Sequence, residues 1–136
     1  MAITRSFKLA EFIRHMSYNS STDRLETTKE IQDENTLTGG QTTTATTEVA
    51  LDSFAHATFR AARYIVAMSE GSNFHSTEIM LVHDGSAVTL TQYGTLKDTT
   101  LATFDADING DNVRLLVTPA GTNSTVIKFN RTTVEA

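Results

Sequence analysis

From Phe59 to Arg131 the chain alternates apolar and polar positions with a period of two, broken at intervals by turn residues. Ala62, Tyr64, Val66 and Met68 alternate with Ala61, Arg63, Ile65 and Ala67, and both sets become apolar towards the end of the segment. Such a run predicts a central strand covered on both sides. Thr77 to His83 repeats the pattern, with Ile79 and Leu81 on one side and Met80 and Val82 on the other. Val88 and Leu90 alternate with Thr89 and Thr91 between Ala87 and Tyr93. Leu101 to Asp107, Val113 to Thr118 and Thr125 to Arg131 complete the series, and in the last of these Val126 opposes Ile127 and Phe129. Asp84-Gly85 and Asn109-Gly110 favour the positive φ of tight hairpin turns. A turn with Gly71 separates the first two strands, Gly94 to Thr99 reads as a loop, and Pro119 stops ladder pairing.

The first half of the chain is patterned differently. Ile3, Phe7, Ala10 and Ile13 follow a 3.6-residue period, widened by Leu9, Phe12 and Met16, which predicts an amphipathic helix over residues 3–16. An isolated helix of that length is marginal in water, so its stripe needs a partner: its own domain, a neighbouring subunit or another protein. Ile3, Phe7, Leu9, Phe12, Ile13 and Met16 are therefore the candidate assembly interface. Ser17 to Thr22 breaks the period, Leu25 to Ile31 suits a short edge strand, and Gly39-Gly40 reads as a mobile turn. Thr42 to Leu51 has strand propensity and is closed by Asp52-Ser53.

These elements predict an all-β protein: an antiparallel, jelly-roll-like sandwich of about eight strands over residues 23–136, preceded by a helical anchor arm over residues 1–22. Threonine, 24 of 136 residues, supports this, because its branched Cβ suits a pleated strand while its hydroxyl suits water. The chain has no cysteine, which excludes disulfides and thiolate metal sites. A net charge of −5 argues against a nucleic-acid partner. Apolar runs are too short to span a bilayer, and Lys8, Glu11 and Arg14 interrupt any signal-like stretch at the start.

The candidate chemistry is sparse. Asp105-x-Asp107-x-Asn109-Gly110 begins like a calcium loop, but the twelfth position is Leu116 where a bidentate Glu is required, and the flanks read as strands. A carboxylate pair beside a hairpin turn is the simpler reading. His75 and His83 share one strand but lie too far apart to bind one metal ion. His15 and His56 have no sequence-local partner. No serine sits in a nucleophile elbow and there is no Gly-rich phosphate loop. Lys128 and Arg131, interleaved with Phe129, read as the solvated side of a strand. No catalytic constellation, cofactor site or metal site emerges, and the chain is expected not to be an enzyme.

The segments FRAARYIVAMSEGSNFHSTEIMLVHDGSAVTLTQYGTL and LATFDADINGDNVRLLVTPAGTNSTVIKFNR, within Ser53 to Arg131, resemble a β-rich module of structural proteins from marine tailed bacteriophages, those of cyanobacteria and pelagic bacteria. The resemblance covers roughly the C-terminal three-fifths of the chain. It implies a virion protein without catalytic residues, located in a fibre, tail or head-surface component, whose partners are other virion proteins and copies of itself, possibly in trimers. The absence of internal repeats suits head decoration, with the tail or tail fibre as the alternative. A glycan-binding module is a reading of another class, which the scattered Tyr18, Tyr64 and Tyr93 and the lack of Trp do not favour.

Overall fold

The computed structural model describes residues 16–20, 24–27 and 35–136. The chain divides into two compact units, Met1–Asp33 and Glu34–Ala136. In the first, β1 (Met16–Asn19) and β2 (Arg24–Thr27) pair antiparallel, with Met16 opposite Thr27. The helix predicted over residues 3–16 lies outside the described residues except for Met16, which opens a strand instead. Of the candidate assembly interface, Ile3, Phe7, Leu9, Phe12 and Ile13 lie outside the described residues as well.

The second unit is a sandwich whose described residues form eight strands in two antiparallel sheets. They are β3 (Thr36–Thr43), β4 (Val49–Ala55), β5 (Phe59–Glu70), β6 (Asn73–His83), β7 (Val88–Lys97), β8 (Ala102–Asn109), β9 (Asn112–Pro119) and β10 (Thr125–Glu135). One sheet has five strands in the order β3-β10-β5-β6-β7, and the other has three in the order β4-β9-β8. The alternation read from the sequence sets which residues face inward. Tyr64, Val66, Ile79, Leu115, Val113, Val117 and Ile127 are fully buried between the sheets.

The hairpin corners match the turn residues, with a shift of one position. Glu70 pairs with Asn73 and Asn109 with Asn112, so Gly71 and Gly110, both at φ 60°, take the first central position of two-residue loops. The Asp84 carboxylate organises the β6–β7 turn by accepting the backbone N–H groups of Ser86 and Ala87 at 2.8 Å each. Those two donors, Ala87 first, hold the Asp84 carboxyl below its ordinary range.

Several boundaries differ from the sequence reading, each for a tertiary reason. Gly39-Gly40 is not a turn but the middle of β3. A Cβ on Gly39 would lie 2.5 Å from Phe129 Cζ, and one on Gly40 would lie 2.3 Å from the Ile127 carbonyl oxygen. The ring of Phe129 thus covers a strand that has no side chain there. The predicted strand from Thr42 to Leu51 is divided, because β3 pairs with β10 in one sheet and β4 with β9 in the other. Asp52-Ser53 does not close a strand, since β4 continues to Ala55 with a bulge at Leu51. The loop predicted from Gly94 lies within β7, where Gly94 at φ 60° sits in a bulge opposite the β6 segment Ser76 to Glu78.

The described residues cover β5 on one side only, not on the two sides predicted. Its inward set, Ala62, Tyr64, Val66 and Met68, is buried, but Ile65 on the outer side is 49% exposed. Met80 and Val82, on the outer side of β6, are each 48% exposed.

Candidate functional site

Two features of the sandwich stand out, one inside it and one on its surface. The internal one joins the sheets. The bulge at Leu51 turns Asp52 of β4 towards the five-stranded sheet. There Arg131 of β10 donates from Nη1 to Asp52 Oδ2 at 2.7 Å, and the Tyr64 hydroxyl of β5 donates to the same oxygen at 2.9 Å. Arg131 Nη1 also reaches the Ser53 carbonyl at 3.3 Å, and its guanidinium lies 5.5 Å from the Phe54 ring centroid. Burial pushes the Tyr64 hydroxyl well above the ordinary phenol range, and the Asp52 carboxylate adds to the effect. Arg131 is therefore not on a solvated side, as its neighbour Lys128 is. It shares the parity of Ile127 and Phe129, and only a buried carboxylate from the opposite sheet makes that position tolerable. The sequence signal was there in that parity, but Asp52 as the partner was not legible. The Asp52 carboxylate of one sheet thus accepts from Arg131 and Tyr64 of the other, so the three groups hold the sheets together.

The surface feature is the outer face of the five-stranded sheet. The seven large apolar side chains most exposed among the described residues are Ile65, Phe74, Met80, Val82, Tyr93, Leu96 and Val134. Strand register places every one of them on this face. The outer face of the three-stranded sheet has the opposite character. It carries Thr103, Asp105, Asp107 and Thr118, with Arg114 of β9 gripping the Asp107 carboxylate through Nε and Nη2.

Phe74 is the most prominent aromatic ring on the apolar face, 62% exposed. Its backbone is clamped, because its N–H donates to Asp98 Oδ1 at 2.9 Å and its carbonyl accepts the Asp98 N–H at 3.2 Å. On one side lies an open depression of about 420 Å³ towards Ser76, Leu96 and Lys97. On the other lies one of about 360 Å³ towards Ser69, Val126 and Lys128. A third, of about 250 Å³, continues past Val126 to Gly40 and Thr42, so the depressions form a trough across the sheet. In the middle of the face, Arg63 donates from Nε and Nη2 to Glu78 Oε2 at 3.0 and 2.6 Å. This contact holds the Glu78 carboxyl below its ordinary range and the Arg63 guanidinium above its own.

Of the histidines and carboxylates singled out in the sequence, His15 lies outside the described residues and the others serve local structure. His83 donates from Nε2 to the Phe59 carbonyl at 2.7 Å and accepts the Gly85 N–H on Nδ1 at 3.1 Å, which fixes its tautomer. His75 accepts the Leu101 N–H on Nδ1 at 3.3 Å. Burial first, and then the Lys97 charge, push His75 below the ordinary imidazole range. His56 stacks edge-on against His83, with ring centroids 6.1 Å apart. Asp107 is paired with Arg114, while Asp105 accepts the N–H of Ala106, so the two carboxylates do not converge on one point. Among the described residues no group of three or more ligating side chains could hold a metal ion. No helix there is long and apolar enough to cross a membrane.

No protein-family model matches the chain, and no curated protein does. Solved structures do resemble it. The crystal structure of the tailspike protein of Acinetobacter phage vB_ApiP_P1 matches with a TM-score of 0.50 at 19% identity, covering 81% of this chain and 23% of that one. The tailspike protein of Acinetobacter baumannii phage AM24 matches with a TM-score of 0.40 at 10% identity, covering 75% of this chain and 26% of that one. Tailspike protein gp49 of Acinetobacter baumannii bacteriophage Fri1, described as a capsular polysaccharide depolymerase, matches with a TM-score of 0.32 at 9% identity, covering 74% and 20%. The chain thus spans about a quarter of these tailspikes or less, and at such identities the likeness is one of fold.

Proposed function

We propose that this chain is a structural component of a bacteriophage virion, part of the tail's adsorption apparatus, and that it works by being held against neighbouring proteins. The observation that carries this reading is the fold: a sandwich that matches part of a phage tailspike over 81% of its own length. That likeness supports the tail rather than decoration of the head. The outer face of the five-stranded sheet supports the mode of action. It carries seven exposed large apolar side chains, among them Phe74, whose backbone is clamped by Asp98. Residues 1–22, with Ile3, Phe7, Leu9, Phe12, Ile13 and Met16, would supply a second attachment. On this reading the module itself is not catalytic, and any enzymatic activity of the appendage belongs to another part of it.

The test is location. Peptide mass spectrometry of purified particles of the encoding phage should detect the chain, and gold-labelled antibodies should decorate the tail end of the virion. Labelling over the head would restore the decoration reading. Absence from the particle would refute the proposal altogether.

A further inference from the structure

We infer that Asn109 is a site of spontaneous covalent modification, at which the backbone nitrogen of Gly110 attacks the side-chain amide and the β8–β9 corner ages into aspartate and isoaspartate. The chemistry needs only water and base. The Gly110 N–H gives its proton to solvent base, a bond forms from that nitrogen to Asn109 Cγ, and the Cγ–Nδ2 bond breaks as ammonia leaves with a proton. Water then opens the five-membered succinimide. Hydrolysis at the side-chain carbonyl gives aspartate. Hydrolysis at the main-chain carbonyl gives isoaspartate, in which the backbone runs through Cβ and Cγ.

Three observations carry it. Asn109 is the only one of the chain's seven asparagines followed by glycine, and a neighbour without Cβ leaves the attacking nitrogen uncrowded and its peptide plane free to turn. The place is also open. Asn109, Gly110 and Asp111 are all exposed at the tip of a two-residue loop, where local opening costs least. Among the described residues no hydrogen bond holds the Asn109 side chain or the Gly110 N–H. The third observation is the contrast with the other corner that could form a succinimide, Asp84-Gly85. There both reacting groups are engaged: the Asp84 carboxylate accepts the Ser86 and Ala87 N–H groups, and the Gly85 N–H donates to His83 Nδ1 at 3.1 Å. Asn123 and Asn130 are held as well, donating from Nδ2 to Glu70 Oε1 at 2.9 Å and to Thr38 Oγ1 at 3.3 Å. The products change the corner. A carboxylate at position 109 joins Asp105 and Asp107 on the outer face of the three-stranded sheet, and isoaspartate adds a main-chain carbon at the Asn109–Asn112 pair that ends the β8–β9 ladder.

The experiment ages the full chain in mildly alkaline buffer at physiological temperature and follows each asparagine by peptide mass spectrometry, with electron-transfer fragmentation to separate aspartate from isoaspartate. The expected result is a mass gain of about 1 Da, confined at first to the Asn109 peptide, with isoaspartate present and a rate that rises with pH. Over the same period Asn123 and Asn130 should stay intact and Asp84 should keep its normal linkage. Gly110→Asp tolerates the positive φ of this position but crowds the attacking nitrogen, and should slow the loss at Asn109 severalfold. Circular dichroism checks that the variant is folded, and the wild-type comparison of Asn109 with Asp84 and Asn123 stands independently of it. An Asn109 that stays intact in the folded chain overturns the inference, and the same chain in urea shows whether the corner is what protects it. A folded Gly110→Asp variant that deamidates as fast as the wild type, or isoaspartate arriving at Asp84 as early as at Asn109, overturns it too.

Discussion

Asp52→Asn is the most informative single change in the core. Asp52 and Arg131 side chains are each 8% exposed, and Asp52 Oδ2 accepts from both Arg131 and Tyr64. An amide at this position keeps the shape but removes the charge, leaving a buried guanidinium opposite a neutral group. Breaking a buried ion pair from one side costs about 3–5 kcal/mol. In a domain of this size each kcal/mol moves the melting temperature by roughly 4–8 °C. The variant should therefore melt more than ~10 °C below the wild type. In urea, its midpoint should fall with an unchanged m-value, since the fold and the surface exposed on unfolding stay the same. Tyr64→Phe removes one hydrogen bond to a charged acceptor and should cost about 1.5–3 kcal/mol. The decisive variant is the double change Asp52→Leu with Arg131→Met, which removes both charges together. Replacing a whole buried pair by apolar groups is often neutral or stabilising, so the double variant should be more stable than Asp52→Asn alone. A loss below about 1 kcal/mol for Asp52→Asn, or a double variant no better than the single one, would refute the claim that the pair is buried and coupled across the sheets.

Two further outcomes follow from particular contacts. Gly40→Ala places a methyl group against the Ile127 carbonyl of the neighbouring strand, a backbone atom that cannot swing aside, and should cost about 1–3 kcal/mol in chemical denaturation. Gly39→Ala meets the Phe129 ring instead, and repacking of that ring should make the cost the smaller of the two. His75 has a folded-state pKa below its unfolded value of 6.5, so the unfolded chain binds the proton more readily. Stability should be constant above that value and fall as the pH drops below it. His75→Asn, which retains an acceptor for the Leu101 N–H, should flatten this slope between pH 7 and 5 in urea titrations, and an unchanged slope would assign the acid sensitivity to other groups.

Much of the sandwich was legible because alternation is a local property. The inward sets of β5, β6, β9 and β10 follow from period two and need no knowledge of partners, and the glycines of the corners announce positive φ. What alternation cannot give is the identity of whatever lies across the gap. Gly39-Gly40 carries the local signature of a turn, and only the Phe129 ring and the close approach of β10 make it strand. Arg131 sits at a core parity, yet its acceptability depends on a carboxylate 79 residues away in sequence, brought into reach by a one-residue bulge. The same holds for the surface. The sequence determined that β5 and β6 are apolar on two sides. Tertiary structure decided that one of those sides faces outward, because three strands in the opposing sheet can cover only the inner face of the five, and the described residues supply no second layer over the outer face.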